Sequence, residues 1–311
     1  MNNTKEEETF SFQGEQFADI QMLHYRLPEF ETLSLRQKKL IYSLSQATLF
    51  GRDITFDQFG KYNLRIRKTL EAVYKHYQGE STDYEYQALG EYLKQVWFAS
   101  GIHHHYACDK FIPSFTEQFF RDAVLSVDKK QLPLRENEDV NELLNELCPV
   151  IFDPTLHPKR VNKADGVDLI CTSACNYYEG VNQQEVENYY AKMKAEGPDS
   201  EQPSYGLNST LTKKGNSVRE DVWKADGKYG AAIKQIIVWL ERAKAFTENE
   251  QQHKVISLLI KYYETGDLRD FDRYSIEWLH EQDGMIDFIN GFIEVYGDPM
   301  GLKGSWEGIV E

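Results

Sequence analysis

No apolar run in this sequence approaches the ~20 residues a helix needs to cross a bilayer, so no transmembrane segment is expected. Cysteine is scarce. Cys108, Cys148, Cys171 and Cys175 in 311 residues do not make a disulfide framework, and "CTSAC" has the wrong spacing for a CxxC redox pair. Basic residues are outnumbered, with 35 Lys and Arg against 50 Asp and Glu, and a net charge of −15 repels a phosphate backbone. The densest basic stretches, "LRIRK" (64–68) and "HPKR" (157–160), are short, so no nucleic-acid partner is expected. An acidic balance suits amine-bearing ligands, peptides among them, and equally serves solubility. The opening "MNNTKEEETF" lacks the basic and apolar regions of a signal peptide, which leaves cytoplasm and export after loss of a leader both open. There is no GxSxG elbow, no P-loop, no GxGxxG, no internal repeat and no low-complexity tract.

What is present is enough apolar residue, 41%, to bury a sizeable core, and many aromatics, with 19 Tyr and 17 Phe. Residues 1–12 read as a disordered tail and 13–311 as one lobe. Up to about 165 the pattern is helical. Helices are expected over 33–51, started by a Ser cap and stopped by Gly51, and over 61–79 and 83–101. A further helix is expected over 114–127, where Ser114 and Glu117 spell a capping box, and another in "NEDVNELLNELCPVIFD", closed by Pro149 and Pro154. From 166 the character is mixed. "GVDLICTSACNYY" (166–178) reads as a strand, 183–197 as a helix, and 205–224 as two strands around a Lys-Gly-Asn turn. Helices over 229–246 and 249–266 and in "LRDFDRYSIEWLHEQ" precede two terminal strands joined through Gly-Asp-Pro. The fold class is α+β: a helical N-terminal layer, then a small antiparallel barrel or sheet core with flanking helices.

Chemistry-bearing residues are few. "GIHHHYACDK" (101–110) tempts a metal reading, but neighbouring side chains cannot all face one point. Only His103 and His105 could converge, and only on a strand, with Cys108 or Asp109 as a further ligand. The plainer reading is a helix end leading into a loop, with packed rings and a packed thiol. "HEQDG" (280–284) lacks the second His of a zinc peptidase helix and reads as a helix end. Near the C-terminus, "GFIEVYGDPMG" (291–301) places Glu294 and Tyr296 two apart, on one face of a strand. A carboxylate there can hold an ammonium group, and a phenol can donate to an oxyanion.

These last residues carry a resemblance. "YGAAIKQIIVWLERAKAF", "YYETGDLRDF" and "GFIEVYGDPMGLKGSWEGIV" resemble dipeptidyl peptidase III, a family of zinc exopeptidases that release dipeptides from peptide N-termini. "YACDKFIPSF", "TSACNYYEGVNQQEVENYY" and "SYGLNSTLTK" resemble it less strongly, with a Bacteroides-like look. The family closes two lobes over a cleft, and its zinc ligands come from a His-Glu-x-x-Gly-His helix and a downstream Glu. The resemblance implies that this chain is the lower, substrate-binding lobe, with no zinc site of its own and no hydrolysis alone. It implies that Glu294 holds the substrate ammonium, Tyr296 supports the oxyanion, Tyr106 lines the amino-terminal subsite and Glu307 faces the cleft. Gly297 stands where better-known members carry a basic residue, and the family's peptide-pairing edge strand comes from sequence beyond 311. The expected partners are short peptides with a free N-terminus, in the presence of both lobes. A homodimer through a bared cleft face is a further expectation. The contrasting reading is a stand-alone, non-catalytic peptide-binding or regulatory protein built on the same lobe.

Overall fold

Side-chain caps start several of the helices. Ser34 forms a capping box with Gln37 and opens α1 (Leu35–Phe59), and Asp83 opens α3 (Tyr84–Ala99). Asp139 forms a capping box with Glu142 ahead of α5 (Val140–Phe152). Between these lie α2 (Asn63–His76) and α4 (Glu117–Ser126). The computed structural model describes residues 10–196 and 204–311. The first nine residues of the tail and 197–203 of a polar loop fall outside these.

Four expectations about this half are corrected. The chain does not enter the helices directly: β1 (Gln13–Phe17) and β2 (Ile20–Leu23) form an exposed antiparallel hairpin first. Gly51 does not end α1, which runs on to Phe59. A Cβ at position 51 would lie 2.2 Å from the Trp306 ring, so the glycine is there for close packing. The cap of α4 is Thr116, whose hydroxyl accepts from the Phe119 N–H at 3.1 Å, not Ser114. Glu85 takes both the N–H and the hydroxyl of Thr116, and this tertiary partner selects the later start. Pro149 lies inside the last turn of α5; the helix stops at Phe152, where the Asp153 N–H still reaches the Pro149 carbonyl.

These helices bury apolar residues at helical spacing: Ile66, Leu70 and Val73 on α2, Leu89, Leu93 and Val96 on α3, Phe120 and Val124 on α4, and Leu143, Leu147 and Ile151 on α5. This first core draws only on residues 56–152.

The stretch 166–177 is a series of turns and bends, and only Tyr178 of the expected strand pairs in a sheet. Asp168 accepts from the Ile170 and Cys171 N–H groups, and the Thr172 and Ser173 hydroxyls return to the carbonyls of Asp168 and Leu169. Small polar side chains here satisfy the backbone locally and remove it from the ladder. Pairing begins only at β3 (Tyr178–Glu179), parallel to β4 (Ser209–Lys214), which is antiparallel to β5 (Ser217–Val222). Between them runs α6 (Gln183–Glu196). Then come α7 (Gly230–Lys244), α8 (Glu250–Thr265) and α9 (Leu268–His280), and the antiparallel pair β6 (Phe288–Glu294) and β7 (Ser305–Val310). The architecture is α+β, and among the described residues its sheet component is three small separate sheets rather than a closed barrel.

The second core joins distant segments. Leu40, Leu44 and Ile54 of α1 meet Ile233, Ile236 and Leu240 of α7, Val255, Leu259 and Tyr263 of α8, Phe292 of β6, Trp306 of β7, and the loop residues Tyr177 and Trp223. A smaller cluster of Ile170, Val181, Val186, Tyr190 and Leu211 lies beneath the loop after β6.

Candidate functional site

The loop from β6 to β7 is built around two buried charges of opposite sign. The Asp298 carboxylate accepts from the N–H groups of Leu302 and Lys303 at 2.8 Å each and from the Tyr178 hydroxyl at 2.7 Å. Lys303 is wholly buried. Its ammonium donates to Tyr190 and to Ser209, at 2.9 Å from the latter, lies 3.7 Å from Glu220, and sits over the rings of Tyr178 and Tyr190. Burial holds its pKa down to about 8, while Glu220 and Asp298 oppose that shift. The end of α1 fixes β7 from the other side. Gln58 accepts from the Trp306 N–H at 2.8 Å and donates to the Gly304 carbonyl at 3.0 Å, and Thr55 donates to the Trp306 carbonyl at 3.2 Å.

Three expected site residues gather on this frame. Glu294 is the exposed last residue of β6, and its carbonyl accepts from the Ser305 hydroxyl at 3.0 Å. Tyr296 is not on the strand with it but in the turn that follows. The Tyr296 hydroxyl reaches the Glu307 carboxylate on β7 at 3.4 Å. Partial burial and the nearby Glu294 charge raise the pKa of Glu307, and the tyrosine hydroxyl works against that rise. Burial and the two glutamates likewise raise the pKa of Tyr296. The two acids and the phenol therefore form one electrostatic unit, able to take up a positive charge.

Tyr106 arrives from the first half of the chain. His103 and Lys110 form an isolated bridge that closes the 104–109 loop, and the Lys110 ammonium donates to the carbonyls of Val150, in the last turn of α5, and of Leu156 beyond it. At the tip, His104 Nδ1 accepts from the Tyr106 and Ala107 N–H groups at 3.2 and 3.0 Å. The His104, His105 and Tyr106 rings follow one another at 4.4 Å spacings, and Tyr106 is 86% exposed. His103 points elsewhere: it is buried, and its Nε2 donates to the His157 carbonyl at 2.9 Å. Burial pushes its pKa down to about 4, with Arg160 and Lys110 acting in the same sense, so its ring is neutral at pH 7. His103 and His105 thus do not converge, and among the described residues no three His, Cys, Asp or Glu side chains are arranged to hold a metal ion. Cys108 is not a packed core thiol but a half-exposed one on the groove wall.

Tyr106 and Tyr296 line one open groove of about 750 Å³, together with Phe59, Phe98, Cys108 and Arg160. Sequence spacing brought Glu294 and Tyr296 into view; it gave no sign of Asp298, Lys303, Gln58 or Tyr178, which hold them. The available signals were the acid inside "GDP" and a lysine between glycines in "GLKG". Position 297 is crowded as well: a Cβ there would meet the Tyr177 hydroxyl at 3.2 Å and the Phe59 ring at 3.6 Å, which suits glycine.

Comparison with known proteins gives a consistent result. Peptidase family M49 matches residues 176–311. Human dipeptidyl peptidase 3 is 23% identical over 314 residues, an alignment that covers 90% of this chain and 42% of the human protein. The Rattus norvegicus dipeptidyl peptidase 3 is 23% identical over 252 residues, covering 74% of this chain and 34% of its own. Among solved structures, DPP III from Caldithrix abyssi superposes with a TM-score of 0.57 at 18% identity, covering 90% of this chain and 40% of that one. Dipeptidyl-peptidase III from Corallococcus sp. strain EGB gives 0.56 at 15% identity, covering 92% and 40%. The likeness to these two structures is one of fold. Residues 176–311 thus match peptidase family M49, and the chain is similar in sequence and fold to dipeptidyl peptidase III proteins, spanning 34–42% of the length of these relatives.

Proposed function

We propose that this chain supplies the substrate-binding lobe of a dipeptidyl peptidase III and needs a second, zinc-bearing lobe for hydrolysis. One observation carries the reading: Tyr106 and Tyr296, far apart in sequence, share one groove, and the Tyr296 hydroxyl lies 3.4 Å from Glu307, with Glu294 near enough to raise the pKa of both. In this reading Glu294 and Glu307 receive the ammonium of a short peptide by charge-assisted bonds. The Tyr296 phenol, held protonated by partial burial and its two acidic neighbours, donates toward the carbonyl oxygen that gains charge. Tyr106 offers an aromatic wall to the first side chains. The described residues do not fit a zinc ion, so no step is drawn through one.

The test has two arms on one substrate, a dipeptidyl-naphthylamide. The purified 311-residue chain should release no naphthylamine with or without zinc. A chain that carries both lobes should turn over, and Tyr296→Phe in it should lower kcat by roughly a hundred- to a thousand-fold, the range for loss of one oxyanion donor. Turnover by the 311-residue chain that disappears in Tyr296→Phe would overturn the need for a second lobe. An unchanged rate in the two-lobed variant would remove Tyr296 from the chemistry.

A further inference from the structure

The groove shared by Tyr106 and Tyr296 has an unexpected sign. Arg160 and Lys163 line it and no Asp or Glu does, in a protein whose net charge is −15. Arg160 is the more telling of the two. It is only 5% exposed, yet among the described residues it forms no ion pair. Other largely buried arginines are matched: Arg65 meets Glu138 and Glu146, and Arg67 meets Asp53 and Glu71. Arg160 has weaker company. One terminal nitrogen donates to the His105 carbonyl at 3.0 Å and lies 3.7 Å from the Cys108 sulfur, the guanidinium stacks 4.3 Å from the Phe59 ring, and Nε has no partner among the described residues. A guanidinium withdrawn from water without a counter-ion is costly and seeks an anion. Its planar fork suits a carboxylate.

We propose that Arg160, with Lys163 at the rim, forms a carboxylate-binding subsite of this groove. It would take an acidic group of a short peptide whose ammonium lies at Glu294 and Glu307, on the other side of Tyr296. The inference rests on the peptide reading of the groove and adds a charge preference to it. The groove is then bipolar along its length, acidic beyond Tyr296 and basic beside Tyr106. Two sources of the carboxylate share this chemistry: an Asp or Glu side chain, or the terminal carboxylate of a dipeptide.

Cys108 is a built-in reporter, because alkylation joins its thiolate sulfur to the reagent's methylene carbon and expels iodide. Iodoacetate and iodoacetamide differ in charge, and the ratio of their rates at one site cancels the thiolate fraction. Site-resolved mass spectrometry should show a ratio at Cys108 on the order of five-fold above that of mercaptoethanol at low salt. Cys171, exposed beside Asp168, should show no such excess. Arg160→Gln should abolish the preference and Lys163→Gln should weaken it. The wild-type comparison of Cys108 with Cys171 needs no variant to fold. Protection from iodoacetamide then reads the ligand. Ala-Ala against its amide tests the terminal carboxylate, and Ala-Glu-amide against Ala-Gln-amide tests the side chain. At least one acid should protect Cys108 several-fold better than its neutral twin. A Cys108 ratio equal to that of mercaptoethanol would overturn the subsite. Equal protection by acid and neutral twins would overturn it while leaving the peptide groove standing. Anion preference with no protection by any peptide would overturn the subsite and the peptide reading together.

Discussion

The two cores of this molecule are assembled in opposite ways. The first takes every buried residue from 56–152, a continuous stretch of helices that pack on near neighbours in sequence. The second gathers residues 40–54, 177, 223 and 233–306, so α1 must meet elements some 200 residues later. Local contacts close short loops at low entropic cost, and distant ones wait on long closures. α1 is the link: its first part belongs to the second core, and Phe56 near its end belongs to the first. The groove opens at that end, lined by Phe59, Phe98, Tyr106 and Tyr296. The proposed site thus sits on the seam between a locally built half and a globally built one.

The largest test is whether the halves stand or fall together. Phe120→Ala in the first core should cost about 3–5 kcal/mol, the usual range for emptying a buried Phe site. Four of the five tryptophans, Trp223, Trp239, Trp278 and Trp306, lie in the second half, with only Trp97 in the first. If α1 couples the cores, tryptophan fluorescence and far-UV circular dichroism should shift to the same lower urea midpoint. A fluorescence midpoint that stays put while helical signal is lost would show two independent units. A smaller change strikes the link itself. Gly51→Ala places a methyl in the space of the Trp306 ring and should cost about 1–3 kcal/mol by overpacking. Near-UV circular dichroism should register the displaced indole, and an unaltered spectrum with unaltered stability would mean that the contact yields freely.

The mildest effect is a slope, spread over pH. The Lys303 pKa is about 8 in the fold against an ordinary 10.5, so between these values the unfolded chain binds the proton more firmly. Stability therefore rises as pH climbs from about 8, and below that the full cost of the buried charge is carried. Urea midpoints at pH 7.5, 8.5 and 9.5 should rise more steeply for wild type than for Lys303→Met. Equal slopes would place the charge in better company than its three polar partners supply.

Much of the helical layer could be read directly. Ser34, Asp83 and Asp139 cap where short polar side chains before apolar stripes should, and the Gly215–Asn216 turn joins its two strands. Two of the misses share a cause. Asp168, Thr172 and Ser173 turned an apparent strand into turns by bonding their own backbone, and Glu85 moved the cap of α4 to Thr116. The decisive partner was in each case a side chain whose reach the pattern does not encode. The site divides in the same way. Glu294, Tyr296, Glu307 and Tyr106 were visible as residue types within motifs, whereas Arg160 appeared only as one charge in "HPKR".

By itself, then, the sequence determined the helices, the fold class and the resemblance to a known family, because periodicity, caps and a dense C-terminal motif are local properties. Only the tertiary structure decided that Tyr106 and Tyr296 share a groove, that Lys303 is sealed beneath the loop that carries Tyr296, and that Arg160 is buried with no ion pair among the described residues. Those facts depend on which distant segments share a low-dielectric space, and no spacing along a chain records that.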